Sequence, residues 1–132
     1  MTRVLVVNHD IDLADQEADS LRRLGFDVDQ CSGPTRGPCP VLHGRPCAWV
    51  DRADVLVYDV WATGDSDGSQ RLIEELRRVH PEVPVVLTAP GIELDWVQTK
   101  GPFRVTPLVG VPTHERLAAA VERAMAGAAA LS

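Results

Sequence analysis

The sequence predicts an α/β fold in which a parallel sheet of five strands carries helices on both faces. Short and nearly continuous apolar runs, typical of strands buried on both faces, recur along the chain. Most of these runs are separated by longer segments that have apolar residues at helical spacing. Strands that alternate with helices form parallel, doubly wound sheets, because each right-handed crossover returns the chain over one face of the sheet.

Residues 53–60 are predicted to contain the central strand. Four apolar or aromatic residues stand between Asp54 and Asp59, a run too short for a helix and too continuous for a strand with one exposed face. Asp59 is therefore expected at the carboxyl edge of the sheet, which is where open α/β folds bind their ligands.

The first strand is predicted over residues 3–7, followed by the polar residues Asn8, His9 and Asp10. A helix should come next, because apolar or small residues recur there at helical spacing and Gly25 stands where helices commonly end. Its predicted buried face consists of Leu13, Ala14, Ala18, Leu21 and Leu24. Residues 26–29 alternate apolar and charged side chains, as a short strand near the sheet edge would.

Residues 31–52, here called the cysteine segment, are predicted to form an irregular insertion that replaces the second helix of a single domain covering residues 1–132. Proline and glycine recur in its first half too often for a regular helix. All cysteines of the chain lie here, at Cys31, Cys39 and Cys47.

Three thiolates and an imidazole form the Cys₃His ligand set of tetrahedral structural zinc sites. We therefore expect zinc bound by Cys31, Cys39, His43 and Cys47. Three alternatives stay open. They are an iron–sulfur cluster, a redox-responsive disulfide between Cys39 and Cys47, and thiols that merely pack beneath a loop.

The second half of the chain repeats the alternation of strands and helices. A helix beginning near Ser69 should bury Leu72, Ile73, Leu76 and Val79 and end before Pro81. Strands are predicted over residues 84–88 and 103–109, the latter at the sheet edge because Pro107 cannot donate to a ladder. A short helix is expected within residues 91–100, and Thr113 should cap the last helix.

This arrangement resembles the receiver domain of two-component response regulators. The resemblance is carried by residues 3–7 with their polar end, residues 54–59, residues 84–89 and Pro112 before the last helix. It covers nearly all of the chain outside the cysteine segment. It implies a flavodoxin-like, doubly wound sheet of five parallel strands in the order 2-1-3-4-5. It also implies that Asp59 occupies the phosphoacceptor position and that Thr88 occupies the position of the hydroxyl residue that contacts the phosphoryl group.

Several residues that the resemblance implies are replaced in this chain. Receivers hold Mg²⁺ with an acidic pair after the first strand and pair the phosphoryl oxygens with a lysine after the fifth strand. Here the acidic positions hold Asn8 and His9, Asp10 is a shifted carboxylate, and Val111 stands at the lysine position. The candidate pocket therefore consists of Asp59, Asp10, His9, Asn8 and Thr88.

We expect an atypical receiver, or pseudo-receiver, that signals through protein contacts without normal aspartyl phosphorylation and whose cysteine segment responds to a metal or to redox state. One alternative is a working phosphoacceptor that holds Mg²⁺ with Asp10 and Asp59. Another is a small cofactor-binding or nucleotide-binding domain that uses the carboxyl edge of the sheet.

Composition narrows the expected partners. Thirteen Lys and Arg against nineteen Asp and Glu give a net charge of −6, which disfavours direct binding to nucleic acid.

No apolar run approaches the roughly 20 residues that span a membrane, and no signal-peptide pattern is present, so we expect a cytoplasmic protein of bacterial type. No catalytic motif indicates an enzyme. The expected partner is a sensor kinase or an output protein, with homodimerisation as a further possibility.

Overall fold

A computed structural model of the chain describes residues 2–8, 10–31, 39–59, 66–89, 105–109 and 113–131. Its strands are β1 (Arg3–Val7), β2 (Asp27–Cys31), β3 (Val55–Asp59), β4 (Val85–Ala89) and β5 (Val105–Val109). Its α-helices are α1 (Ile11–Arg23), α2 (Ala48–Arg52), α3 (Ser66–Val79) and α4 (His114–Leu131), and a 3₁₀ helix spans Pro40–His43. No helix in the described part of the chain is long and apolar enough to cross a membrane.

The five strands form one parallel sheet in the order β2-β1-β3-β4-β5, which confirms the predicted flavodoxin-like topology. Every residue of β3 is buried, as predicted for the central strand. Its register places Asp59 beside Thr88 of β4. The strand that contains Pro107 lies at one edge of the sheet, as its missing N–H predicts.

Side chains that alternate along each strand build a separate apolar layer on each face of the sheet. In β1, Val4 and Val6 pack on one face with residues of α1 and α4, while Leu5 and Val7 pack on the other with α3. Val41 of the 3₁₀ helix and Val50 of α2 join the α3 side. Strands buried on both faces therefore follow directly from runs that are apolar at every position.

The buried face of α1 differs from the prediction. Leu13 and Leu24 are exposed by 45% and 57%, so placing them in the core was wrong. The buried residues are Ala14, Glu17, Ala18, Ser20 and Leu21. Successive residues of a helix are rotated by about 100° about its axis, so Leu13 lies to one side of the buried face that begins at Ala14. Leu24 lies beyond the last helical residue, Arg23. Apart from Leu21, the contact with the sheet is formed by small side chains and one carboxyl.

The cysteine segment is not irregular throughout, which corrects part of the prediction. Pro40 is the first residue of the 3₁₀ helix, a position at which a backbone N–H would have no acceptor within the helix. Gly44 ends the helix in the left-handed conformation, with φ 72°. Further along, α2 begins after Cys47. Proline and glycine thus delimit a short helix here instead of preventing one. Residues 32–38 lie outside the described residues.

The helices of the second half begin and end near their predicted residues. The last residue of α3 is Val79, ahead of His80 and Pro81. The backbone N–H of Arg116 donates to Thr113 Oγ1 at 3.4 Å, as a cap of α4 requires. The helix predicted within residues 91–100 falls outside the described residues.

The side chain of His80 joins the cysteine segment to the end of α3. The backbone N–H of Cys47 donates to His80 Nε2 at 3.0 Å. His80 Nδ1 faces Asp51 Oδ1 at 3.3 Å, and the His80 side chain is only 8% exposed. Because Nε2 accepts, the proton of the neutral ring sits on Nδ1, facing the carboxylate. One imidazole therefore holds both Cys47 and α2 in place.

Replacing this imidazole is expected to destabilise the fold. His80→Leu leaves the Cys47 N–H without its acceptor, so the free energy of unfolding should fall by about 1–3 kcal/mol. His80→Gln retains an acceptor on a side chain of similar reach and should lose less. His43→Leu, at an exposed position of the 3₁₀ helix, is the matched control. Urea unfolding of the four proteins checks the prediction, and equal losses for the Leu and Gln variants at position 80 would contradict it.

Candidate functional site

Three polar side chains are buried together at the carboxyl edge of the sheet. Asn8 follows β1, Asp59 ends β3 and Thr88 lies in β4, and they are exposed by 1%, 7% and 0%. Thr88 Oγ1 donates a hydrogen bond to Asp59 Oδ2 at 3.1 Å. The parallel register dictates this contact, because Asp59 and Thr88 are paired neighbours on adjacent strands.

Asp10, one of the predicted pocket residues, caps the helix that follows it. Its Oδ1 accepts hydrogen bonds from the backbone N–H groups of Asp12 at 3.0 Å and Leu13 at 3.2 Å, so the carboxylate caps the N-terminus of α1. Its own N–H donates to Asn8 Oδ1 at 3.0 Å. The Asp10 side chain is thus engaged at the helix end. His9, the other predicted pocket residue after β1, lies outside the described residues.

Glu17 is a site residue that the sequence analysis missed. It lies on the buried face of α1 and is 7% exposed. The pKa of its carboxyl is raised from the ordinary 4.5 to about 7; burial is the largest cause, and the negative charge of Asp59 adds to it, whereas the Asn8 amide lowers it. The sequence could have predicted this burial, because Glu17 falls at helical spacing on the same face as Ala14, Ala18 and Leu21.

Asn8 contributes an unused donor to the same pocket. Its Nδ2 is buried and has no hydrogen-bond partner within the described ranges, while its Oδ1 accepts from Asp10. The same amide is the group that lowers the pKa of the Glu17 carboxyl. Asn8, Glu17, Asp59 and Thr88 together form a pocket of two carboxyls, an amide and a hydroxyl. Two nearby carboxyls in a buried site disfavour carrying two negative charges, so one of them tends to keep its proton.

The structure does not assemble the expected metal sites from the residues it describes. No group of three or more His, Cys, Asp or Glu among them is arranged to hold a metal ion. No disulfide joins Cys39 to Cys47, and all three cysteines are half-buried and pack against the apolar layer on the α3 side. His43 is exposed at the end of the 3₁₀ helix.

The backbones at the two ends of the cysteine segment have different hydrogen-bond partners. Cys31 ends β2 at the carboxyl edge, where its carbonyl accepts from the Asn8 N–H at 3.1 Å. Cys47 precedes α2, and its backbone N–H donates to His80, the residue after α3.

Comparisons with known proteins agree with this fold. No protein-family model matches the sequence, and no curated protein matches it. A crystal structure of NtrX from Brucella abortus in complex with ADP is 22% identical with a TM-score of 0.72, covering 98% of this chain and 28% of that chain. This chain thus spans less than a third of that protein's length.

Isolated receiver domains match over their whole length. A response regulator receiver domain protein from Clostridium thermocellum is 19% identical with a TM-score of 0.72, and the match covers 100% of both chains. The receiver domain of NtrX from Brucella abortus is 24% identical with a TM-score of 0.69, covering 93% of this chain and 98% of that one. At these identities the likeness confirms the fold of a receiver domain.

The buried Glu17 carboxyl predicts a specific pH dependence of stability. Between pH 4.5 and about 7 the unfolded chain has released the proton that the folded chain keeps, so the free energy of unfolding falls as pH rises, by about 3 kcal/mol in all. Glu17→Gln should abolish this loss and be relatively more stable above pH 7. Glu122→Gln, at an exposed position of α4, is the control. Urea unfolding from about pH 4 to 8 measures the difference, and parallel curves for wild type and Glu17→Gln would refute the assignment.

Proposed function

We propose that this protein is a receiver-like signalling protein that acts through protein–protein contacts and does not depend on normal aspartyl phosphotransfer. The observation that carries the proposal is the use of Asp10. Its carboxylate caps α1, and the residue preceding His9 is Asn8 rather than an acid. The carboxylates that would hold Mg²⁺ beside Asp59 are therefore engaged elsewhere or replaced.

The charge requirements of phosphotransfer support this proposal. A carboxylate that attacks a phosphoryl group needs cations to offset the negative charge that develops on the phosphoryl oxygens. Glu17 instead brings a second carboxyl near Asp59, close enough for the charge of Asp59 to raise the pKa of Glu17. The sequence also places Val111 where a receiver carries its lysine. Each of these features raises the barrier to phosphoryl transfer at Asp59.

Phosphotransfer at Asp59 is the competing function, and one contact favours it. Thr88 lies beside Asp59 in the register and donates to its carboxylate at 3.1 Å. A hydroxyl at this distance is also placed to contact a group attached to Asp59. The two functions make opposite predictions for a chemical phosphodonor.

Incubation with acetyl phosphate and Mg²⁺ separates these functions. We expect no stoichiometric labelling of the wild-type protein, measured by intact mass spectrometry. The double variant Asn8→Asp, Val111→Lys restores an acid and a cation at the positions that receivers use and should gain labelling that a further Asp59→Asn substitution removes. Circular dichroism checks that each variant is folded. Stoichiometric, Mg²⁺-dependent labelling of the wild type that Asp59→Asn abolishes would overturn the proposal.

A further inference from the structure

Cys39 and Cys47 lie on either side of a tight turn in the cysteine segment. The 3₁₀ helix Pro40–His43 begins directly after Cys39, and Gly44 ends it in the left-handed conformation. The Arg45 N–H donates to the Pro40 carbonyl at 3.0 Å, as in the Schellman motif that ends many helices. This bond joins the residue after Cys39 to a residue two positions before Cys47. The chain therefore enters and leaves the turn at nearly the same place.

The two thiols also share an environment that a small reagent can reach. Both side chains are half-buried, and both pack against the apolar layer on the α3 side of the sheet. Partial exposure is typical of reactive cysteines, whereas buried structural thiols are inert. A disulfide joins residues whose Cα atoms lie about 4.4–6.8 Å apart. The closed turn and the shared apolar face favour that approach for Cys39 and Cys47.

We propose that Cys39 and Cys47 form a reversible disulfide, and that the redox state of this pair regulates the protein in place of aspartyl phosphorylation. The inference rests on the proposed function, in which signalling does not depend on phosphotransfer. The oxidant is a low-molecular-weight disulfide such as oxidised glutathione. The thiolate of one cysteine attacks a sulfur of the oxidant and releases one thiol, and the second cysteine then attacks the mixed disulfide and releases the other. The protein loses two hydrogens and two electrons, which reduce the oxidant to two thiols.

The bond would form where the cysteine segment is attached to the end of α3. The Cys47 N–H donates to His80 Nε2 at 3.0 Å, and α2 begins directly after Cys47. In α2, Trp49 is 45% exposed. A covalent bond at Cys47 constrains how the chain enters α2. Oxidation thus acts on an exposed aromatic surface, the kind of surface that partner proteins bind.

The spacing of the cysteines provides an internal control. Seven residues separate Cys31 from Cys39, and seven separate Cys39 from Cys47. Loops of equal length close at about equal entropic cost, so both pairings should form in about equal amounts in the unfolded chain. In the folded protein, Cys31 is the last residue of β2 and its carbonyl accepts from the Asn8 N–H. A preference for the Cys39–Cys47 bond that requires folding therefore reports on the turn.

The test is oxidation of the full chain by oxidised glutathione, in buffer and in urea. Remaining thiols are blocked with N-ethylmaleimide, and the protein is digested with trypsin without reduction for mass spectrometry. Trypsin cleaves after Arg36 but not between Arg45 and Pro46, so residues 24–36 carry Cys31 and residues 37–52 carry the proposed pair. In buffer, the peptide 37–52 should be lighter by two hydrogens than its reduced form. There the Cys39–Cys47 bond should exceed the Cys31–Cys39 bond by about tenfold, against a ratio of about one in urea.

Substitutions at the turn test what holds the pair together. Gly44→Ala places a Cβ on a residue with φ 72°, so it strains the turn and should reduce the preference for the Cys39–Cys47 bond. Gly44→Asn is better tolerated at this φ and should retain more of the preference. Cys31→Ser is the matched control and should form the Cys39–Cys47 bond as the wild type does. Circular dichroism checks that each variant is folded.

Three outcomes would overturn the proposal. They are glutathione adducts on Cys39 and Cys47 that do not proceed to a disulfide, equal amounts of the two pairings in buffer, and unchanged amide signals of Trp49 and His80 in ¹⁵N NMR after oxidation. Labelling of Asp59 by acetyl phosphate involves neither thiol. A missing disulfide therefore leaves the proposed function intact, while stoichiometric labelling overturns that function and leaves the disulfide to be judged by the digest.

Discussion

The complete burial of β3 is the constraint on which the rest of the structure depends. A parallel strand covered on both faces has apolar side chains in both directions, and its neighbours on each side must share its register. The strand ends in Asp59, so a carboxylate is carried into the interior with the apolar residues before it. Thr88 and Asn8 reach the same depth because their strands are in register with β3. The polar pocket is therefore a consequence of the strand register, which brings these three polar residues to the same edge of the sheet.

Burying two carboxyls in one place determines what that pocket can do. Removing Glu17 from water is the largest influence on its pKa, and the charge of Asp59 acts in the same direction. Up to about pH 7 the site thus favours a protonated Glu17 over two negative charges. A divalent cation would reverse that preference, but it needs several oxygen ligands, and the Asp10 carboxylate is already held by the N-terminus of α1. Local helix capping therefore competes with metal binding for the same side chain.

The strands β1, β3 and β4 could be predicted from sequence because their signal is local: nearly unbroken apolar runs of this length are typical of buried strands. The buried face of α1 could not, since Glu17 and the small residues around it contact the sheet while Leu13 points outward. Apolarity alone does not show which side of a helix faces its neighbour. The cysteine cluster shows a different limit. Closeness in sequence suggested one ligand set, but it does not determine how the side chains are arranged in space, and among the described residues no group of three or more ligands is arranged to hold a metal ion.

Hydrogen bonds attach the cysteine segment to the rest of the fold near both of its ends. Its first residue is bound through Cys31 O to the N–H of Asn8, which belongs to the buried pocket. Toward its other end, the N–H of Cys47 donates to His80 Nε2, and the same ring faces Asp51. Between these contacts Val41 and Val50 are buried against the sheet. A segment with few apolar residues is thus ordered by hydrogen bonds at both ends and two apolar anchors. A displacement of either end therefore alters a hydrogen bond, either to Asn8 in the buried pocket or to His80 at the end of α3.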